Sequence, residues 1–382
     1  MPDVTGPFVV LAGGGTGGHL YPALAIADAL REARPDVRVL FVGARRGLEA
    51  RVLPERGEDH LLLSVYGIDR RRPLASWRAL TGLAAALVRV GRLFQERRPE
   101  VVVVTGGYAG APAGIVAGLM GIPLVLQEQN SWPGAVTKLL TRFAQRIHVA
   151  YPEAIDRMPV GASRCVVSGN PVRPPSTMER SEARALFGIP ADVLLVLVTG
   201  GSQGSLALNR GVLAYVESVE RGEMDRPDVL HLLWVTGPTH FDGVRQALEA
   251  LDHPSWIRTE AYLNDMPAAL VAADAALSRG GAMTTEEFLN QGLPAILVPL
   301  PTSAENHQMF NARALEAAGT ARVLPEAELT PGRLAAELQA LASDPDALAA
   351  MRARALERAR PGATRKIADD VATFLSSARE AA

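Results

Sequence analysis

The 382-residue sequence holds one cysteine, Cys165, and only two lysines, Lys138 and Lys366. A lone cysteine excludes an internal disulfide and any zinc site assembled from cysteines. A reducing compartment such as the cytosol suits that usage. Charge of one sign is also lacking: 39 basic against 41 acidic residues leave a formal net charge of -2, so the broad basic field of a non-specific nucleic-acid binder is missing and nucleic acid is excluded as a partner. No charged segment followed by an apolar core and a small-residue cleavage site opens the chain, so no secretory signal is expected. One uncharged stretch runs from Val101 to Gln127, but glycines together with Pro112 and Pro123 interrupt it. Such a composition suits a lone membrane-spanning helix poorly; a buried strand, a Gly-rich helix and a second strand are expected instead.

What is present is alternation. Phe8–Ala12 is a short apolar run ending in glycines, and Leu20, Leu24, Ala27 and Leu30 then recur at helical spacing. Val37–Val42, Val101–Val104, Pro123–Leu126 and Arg146–Val149 read as further buried strands, separated by segments long enough for crossover helices. After the Pro-rich stretch Asn170–Pro175 the pattern restarts: Ser181 reads as the N-cap of a short helix ended by Gly188 and Pro190. Val193–Val198, Leu230–Val235, Ala275–Leu277 and Ala295–Val298 then read as strands. The expectation is an α/β chain of two Rossmann-like domains with parallel sheets, joined near residue 170. Near the C-terminus Pro361 and Gly362 separate two helical segments. Ile367, Val371, Phe374 and Leu375 give the last one an apolar stripe that must pack on either domain.

Three glycine-rich strand-to-helix junctions carry the chemistry. Gly13-Gly14-Gly15-Thr16-Gly17-Gly18-His19 permits close backbone approach and offers helix N-terminal N–H groups to an anion. It also satisfies the dinucleotide fingerprint G-x-G-x-x-G, with Arg45-Arg46 where an NADP phosphate is read, so an NADP-dependent oxidoreductase is a rival. His19 at the start of the helix is either a catalytic imidazole or a side chain that merely closes the turn. Gly200-Gly201-Ser202-Gln203-Gly204 matches the nucleophile elbow G-x-S-x-G, with His307 downstream for a hydrolase, but equally a polar turn for a diphosphate. Ser278–Glu287 is the third junction, where backbone N–H groups suit phosphate and a carboxylate suits ribose hydroxyls. Glu286 and Glu287 are alternatively ordinary first-turn acids favoured by the helix dipole. Asp344-Pro345-Asp346 imitates a metal-holding D-x-D but reads as a helix cap followed by a first-turn proline.

In this order the motifs closely resemble the MurG family of UDP-N-acetylglucosamine:undecaprenyl-diphospho-muramyl-pentapeptide transferases. GGGTGGH at 13–19, GGY at 106–108, QEQN at 127–130, GNPVR at 169–173, GGSQG at 200–204, the 279–287 stretch and ENHQMFNA at 305–312 carry the resemblance over nearly the whole chain. It implies the GT-B fold, in which the two Rossmann-like domains face each other across a cleft. Domain one (1–170) would hold the acceptor and the membrane, domain two (171–362) the UDP-N-acetylglucosamine, and a helix at about 363–382 would dock back onto the first. It further implies inverting transfer of N-acetylglucosamine to the C4 hydroxyl of the undecaprenyl-linked muramyl pentapeptide, in cell-wall synthesis and with it cell shape and division. No metal and no cofactor are implied. Donor contacts carry over to Thr16, Gly17, Gly18, Asn130, Arg173, Ser202, Gln203, Leu263, Ala282, Met283, Thr284, Thr285, Glu286, Glu287 and Gln308, and acceptor contacts to Gly14, Gly15 and Tyr108. At Gly280 some relatives carry serine and at His307 some carry glutamine, so the resemblance carries no side-chain hydrogen bond over to those two positions. The acceptor hydroxyl must lose a proton as UDP leaves as an anion. Histidine's ordinary pKa lies near neutrality, which makes His19 the first candidate base, with Glu128 the second.

Arg70-Arg71-Arg72 followed by Leu74, Trp77, Leu80, Leu83 and Leu87, with Arg89 and Arg92 flanking, suits an interfacial helix on anionic lipid; a core-facing helix with an arginine cap is the alternative. Peripheral association with the cytoplasmic face of the membrane is therefore expected, with other cell-wall synthesis proteins as further partners. Besides the oxidoreductase and hydrolase, a non-catalytic nucleotide-sugar binder competes with the transferase, although it leaves His19 and Glu128 without work.

Overall fold

The computed structural model describes residues 6–66, 73–160 and 162–375, with backbone alone for 73–79 and 162. The chain divides into two units, Met1–Arg173 together with Pro361–Ala382, and Pro174–Arg360.

The first unit is built on strands β1 (Phe8–Gly13), β2 (Arg38–Ala44), β3 (His60–Leu63), β4 (Val101–Gly106), β5 (Leu124–Glu128), β6 (Arg146–Val149) and β7 (Cys165–Val167). All are parallel, in the order β3-β2-β1-β4-β5-β6-β7. β1 and β4 are buried along their whole length, which explains their unbroken apolar runs. Helices α1 (Gly17–Ala33), α2 (Glu49–Glu55), α3 (Pro73–Glu96), α4 (Gly107–Leu119) and α5 (Ala135–Leu140) connect them. Val10 pairs with Leu40 on one side and Val102 on the other, so the chain runs outward from β1 in both directions. The carboxyl ends of β1 and β4 therefore form the topological switch point where such sheets bind ligands.

The second unit repeats the plan with β8 (Leu194–Thr199), β9 (Leu230–Val235), β10 (Ile257–Glu260), β11 (Ala275–Ser278), β12 (Ala295–Leu297) and β13 (Ala321–Val323). The order is β10-β9-β8-β11-β12-β13, which puts the switch point between β8 and β11. Its helices are α6 (Arg180–Leu186), α7 (Leu206–Glu220), α8 (Phe241–Glu249), α9 (Met266–Ala272), α10 (Ala282–Gln291), α11 (His307–Ala317), α12 (Pro331–Ser343) and α13 (Pro345–Arg358). Trp234 is fully buried and donates through Nε1 to Asn209 Oδ1 at 2.9 Å, while Asn209 Nδ2 donates to the Thr236 carbonyl at 2.8 Å. That pair pins α7 to β9.

The last helix, α14 (Ala363–Ala372), belongs to the first unit. Ile367, Ala368 and Val371 are buried with Leu20, Leu24 and Ala27 of α1 and with Val103 and Val125 of the sheet. Thr364 Oγ1 donates to the Val172 carbonyl at 3.0 Å, and Asp370 Oδ2 stands 2.9 Å from both His148 Nε2 and Arg146 Nε.

One sequence expectation needs correction. Ser181 is not a cap: α6 starts at Arg180 after Glu179, which has extended backbone, so Ser181 lies inside the first turn. Along α3, Leu80 and Leu87 lie seven residues apart on one helix face but differ in burial. Leu87 packs with Ala86, Val90 and Phe94 against the core, whereas Leu80 is 56% exposed. Arg70, Arg71 and Arg72, and the side chains of Leu74 and Trp77, lie outside the described residues.

Candidate functional site

At the first switch point, β1 turns into α1 through Gly14 and Gly15, both at positive φ (146° and 93°), a region open to glycine. Thr16 holds the N-cap position of α1 without a side-chain cap bond; its Oγ1 lies 3.1 Å from Nδ1 of His19 instead. One backbone bond and one packing contact fix the residue further. Thr105 Oγ1 at the end of β4 donates to the His19 carbonyl at 2.8 Å. The ring lies against the next turn, where a Cβ on Gly106 would stand 2.9 Å from His19 Cδ2 and one on Gly107 3.1 Å from Nδ1. Tyr108 follows at the start of α4, and a Cβ on Gly15 would meet its ring at 2.8 Å. Burial pushes the Tyr108 phenol up, and the nearby Glu49 charge adds to the shift.

The 127–130 motif ends β5. Glu128 is buried, and its carboxylate is engaged by its own turn: Oε1 accepts from the Asn130 backbone N–H at 3.0 Å and Nδ2 at 3.2 Å, and Oε2 from the Gly134 N–H at 3.0 Å. Desolvation pushes its pKa up, against these hydrogen bonds, which pull it down. Gln127 Nε2 donates to Asn170 Oδ1 at 3.0 Å, Gln129 Nε2 to the Thr105 carbonyl at 2.6 Å, and Asn170 Nδ2 to the Gln129 carbonyl at 3.1 Å. Asn170 therefore braces the motif, and the exposed Arg173 lies three residues beyond it, at the unit's boundary.

At the second switch point, Gly200–Gly204 leads from β8 into α7, with Gly201 and Gly204 at positive φ (86° and 72°). A Cβ on Gly204 would overlap the Thr236 carbonyl oxygen, so the turn packs directly on the end of β9. Ser202 and Gln203 are exposed at its tip. Ser205 caps α7, its Oγ accepting the Leu208 N–H at 3.3 Å, and also accepts from Arg279 at 3.0 Å (Nε) and 2.6 Å (Nη2). Arg279 donates to the Val298 carbonyl at 3.1 Å and pairs with Glu326 at 2.6 Å, so its charge is already met.

Gly281 is the N-cap of α10, and Ala282, Met283, Thr284, Thr285, Glu286 and Glu287 form its first turns. Thr285 and Glu286 are buried, the others partly exposed. Gly280 has no room for a side chain, since a Cβ would stand 2.6 Å from the Gln308 carbonyl oxygen. Gln308 Oε1 accepts the Leu300 N–H at 3.0 Å. Two non-glycine residues in left-handed backbone, Glu305 (φ 49°) and Asn306 (φ 56°), precede it. Gly200, Gly201, Ser205, Thr284 and Gln308 line a cavity of about 530 Å³ with Arg210, a size that suits a nucleotide-sized ligand. Leu263, in the loop before α9, is buried.

Residues 9–149 match the model of the glycosyltransferase family 28 N-terminal domain and residues 195–367 that of its C-terminal domain. The UDP-N-acetylglucosamine–N-acetylmuramyl-(pentapeptide) pyrophosphoryl-undecaprenol N-acetylglucosamine transferase of Salinibacter ruber is 41% identical over 96% of both chains. Its counterpart in Desulfitobacterium hafniense strain DCB-2 is 38% identical over 94% of this chain and 97% of its own. The chain belongs to the MurG family of glycosyltransferases. The crystal structure of Acinetobacter baumannii MurG superimposes with a TM-score of 0.76 at 26% identity, covering 96% of this chain and 99% of that one. Family membership establishes a GT-B glycosyltransferase with two parallel-sheet α/β domains and sets aside the oxidoreductase and hydrolase readings. The D-x-D look-alike is a cap in this family member: Asp344 Oδ1 accepts the Ala347 N–H at 2.8 Å and Pro345 is the first residue of α13. Sequence motifs missed Glu49, Ser205 and Arg210. Ser205 directly follows the Gly200–Gly204 motif, the one available signal; the other two stand in stretches that match no motif.

Proposed function

We propose that the chain transfers N-acetylglucosamine from UDP-N-acetylglucosamine to the C4 hydroxyl of the undecaprenyl-diphospho-muramyl pentapeptide, with inversion, as a step of peptidoglycan synthesis. Relatives that carry this activity in their names match almost end to end. The observation that carries the reading is the duplication of glycine-rich junctions: one packs an imidazole, the other lines a cavity of about 530 Å³.

In the reaction the acceptor O4–C1 bond forms as the bond from C1 to the diphosphate oxygen breaks, and the electron pair leaves with UDP. The O4 proton goes to His19. Thr16 Oγ1 lies 3.1 Å from Nδ1, and the tautomer that carries its proton on Nδ1 has at Nε2 the lone pair a base needs. Glu128, whose two oxygens accept three N–H groups, is assigned to shaping the Asn130 turn rather than to the proton. Gly14, Gly15 and Tyr108 are the proposed acceptor contacts. On the second unit the N-terminal turns of α10 and the tip of the Gly200–Gly204 loop receive the sugar nucleotide, their N–H groups stabilising the charge that grows on the diphosphate.

Among the described residues no helix is long and apolar enough to cross a membrane. The lipid-linked acceptor is met by peripheral docking on an anionic surface, through the N-terminal part of α3 with Leu74, Trp77 and Leu80. UDP release, followed with and without the lipid-linked muramyl acceptor, tests the function. Release that depends on both substrates is expected; UDP-sugar binding without any turnover would leave a non-catalytic binder.

A further inference from the structure

One buried ionisable side chain has no task in the chemistry above. Glu49, the first residue of α2, is 0% exposed. Its Oε1 accepts the Gly15 N–H at 2.5 Å, whereas its buried Oε2 has no hydrogen-bond partner among the described residues. A carboxylate removed from water with one oxygen unmet is costly, and such groups call for a functional explanation.

Space has been cleared for it from two strand ends. A Cβ on Gly14 or Gly47 would overlap a carboxylate oxygen, and one on Gly43 would stand 2.9 Å from Cγ. The carboxylate thus reaches out of the β2–α2 connection into the glycine turn that follows β1. From there the contacts run on: a Cβ on Gly107 would overlap the Gly14 carbonyl oxygen and press on His19 Nδ1, and one on Gly15 would press on Tyr108. Shifting the Gly14–Gly15 peptide therefore disturbs both side chains assigned to the acceptor.

We propose that Glu49 is a positioning residue of the acceptor site, holding the Gly14–Gly15 peptide by its bond to the Gly15 N–H so that His19 and Tyr108 keep their places. The proposal rests on the acceptor assignment made above, but the bond itself can be read without turnover.

Glu49→Ala removes the acceptor atom, Glu49→Asp withdraws it by one methylene, and Glu49→Gln keeps it while removing the charge. Glu49→Ala and Glu49→Asp are expected to lose about 10- to 100-fold in kcat/KM for the lipid-linked acceptor, the scale of a misplaced reacting group. Calorimetric affinity for UDP-N-acetylglucosamine should stay unchanged, and Glu49→Gln should restore most of the acceptor kcat/KM. The Gly15 amide proton resonance should lie far downfield in wild type and move upfield in Glu49→Ala. The Tyr108 phenol, followed by ultraviolet difference titration against Tyr108→Phe, should ionise at lower pH in both Glu49→Ala and Glu49→Gln. Wild-type acceptor kinetics in Glu49→Ala overturn the proposal, as does a Glu49→Gln variant no better than Glu49→Ala. If Glu49→Ala does not fold, wild-type acceptor kinetics in Glu49→Asp overturn it equally. Failure of the parent reading looks different: wild type then releases no UDP with the lipid-linked acceptor, while the Gly15 resonance still decides whether Glu49 holds the loop.

Discussion

Thr16 and Ser205 occupy the same position at the start of α1 and α7, yet their hydroxyls do different work. Ser205 caps its helix and takes two donors from Arg279, whereas Thr16 caps nothing and turns toward the imidazole. Ser205→Ala should therefore cost about 1–3 kcal/mol in chemical denaturation, because Arg279 loses its acceptor as well as the helix its cap. Thr16→Ala, lacking a cap bond to lose, should leave the unfolding midpoint unchanged and lower kcat. Removing the base altogether, in His19→Ala, should cost about 10²- to 10⁴-fold in kcat at saturating acceptor. Turnover near wild type would move the proton to another group. His19 was legible in the sequence because it closes a glycine-rich run interrupted only by Thr16. Glu49 was not, since the glycines that admit it are scattered over positions 14, 43 and 47 and meet only once β1 and β2 pair in register.

Between elements, legibility follows burial. β1, β4, β5, β8 and β11 are enclosed on both faces and announce themselves as apolar runs. The strands that hydropathy did not reveal, β3, β7, β10 and β13, are the four sheet edges. With 3 or 4 residues each and mostly partial exposure, they have too little apolar pattern to be read. α14 docks through a different kind of element contact. Burial depresses the His148 imidazole to about 4, with Arg146 and Lys366 adding to the effect and Asp370 opposing it. The unfolded chain takes up that proton near the ordinary value of 6.5, so this contribution to stability is intact above that pH and fades as pH falls toward 4. Thermal midpoints should drop over that window, and a His148→Gln variant should show a flatter profile. For α3, Trp77→Glu should reduce sedimentation with anionic vesicles; unchanged binding would remove the proposed docking role of its N-terminal part.

At the scale of the whole molecule, two separately cored units should respond separately to ligand. UDP-N-acetylglucosamine at a hundred times its Kd should stabilise the unit that binds it by about 2.7 kcal/mol. Hydrogen exchange should slow at 200–204 and 281–287, and NADPH should slow neither; protection by NADPH would reopen the dinucleotide reading. The first unit is also discontinuous in sequence, broken after Arg173 and resumed at Pro361. Two covalent crossings therefore join the units, and a single protease nick at either one leaves both fragments tethered through the other. Losing the segment from Ala363 onward is not the removal of an appendage: it strips the cover from Leu20 and Leu24, so damage written more than three hundred residues downstream is felt beside α1.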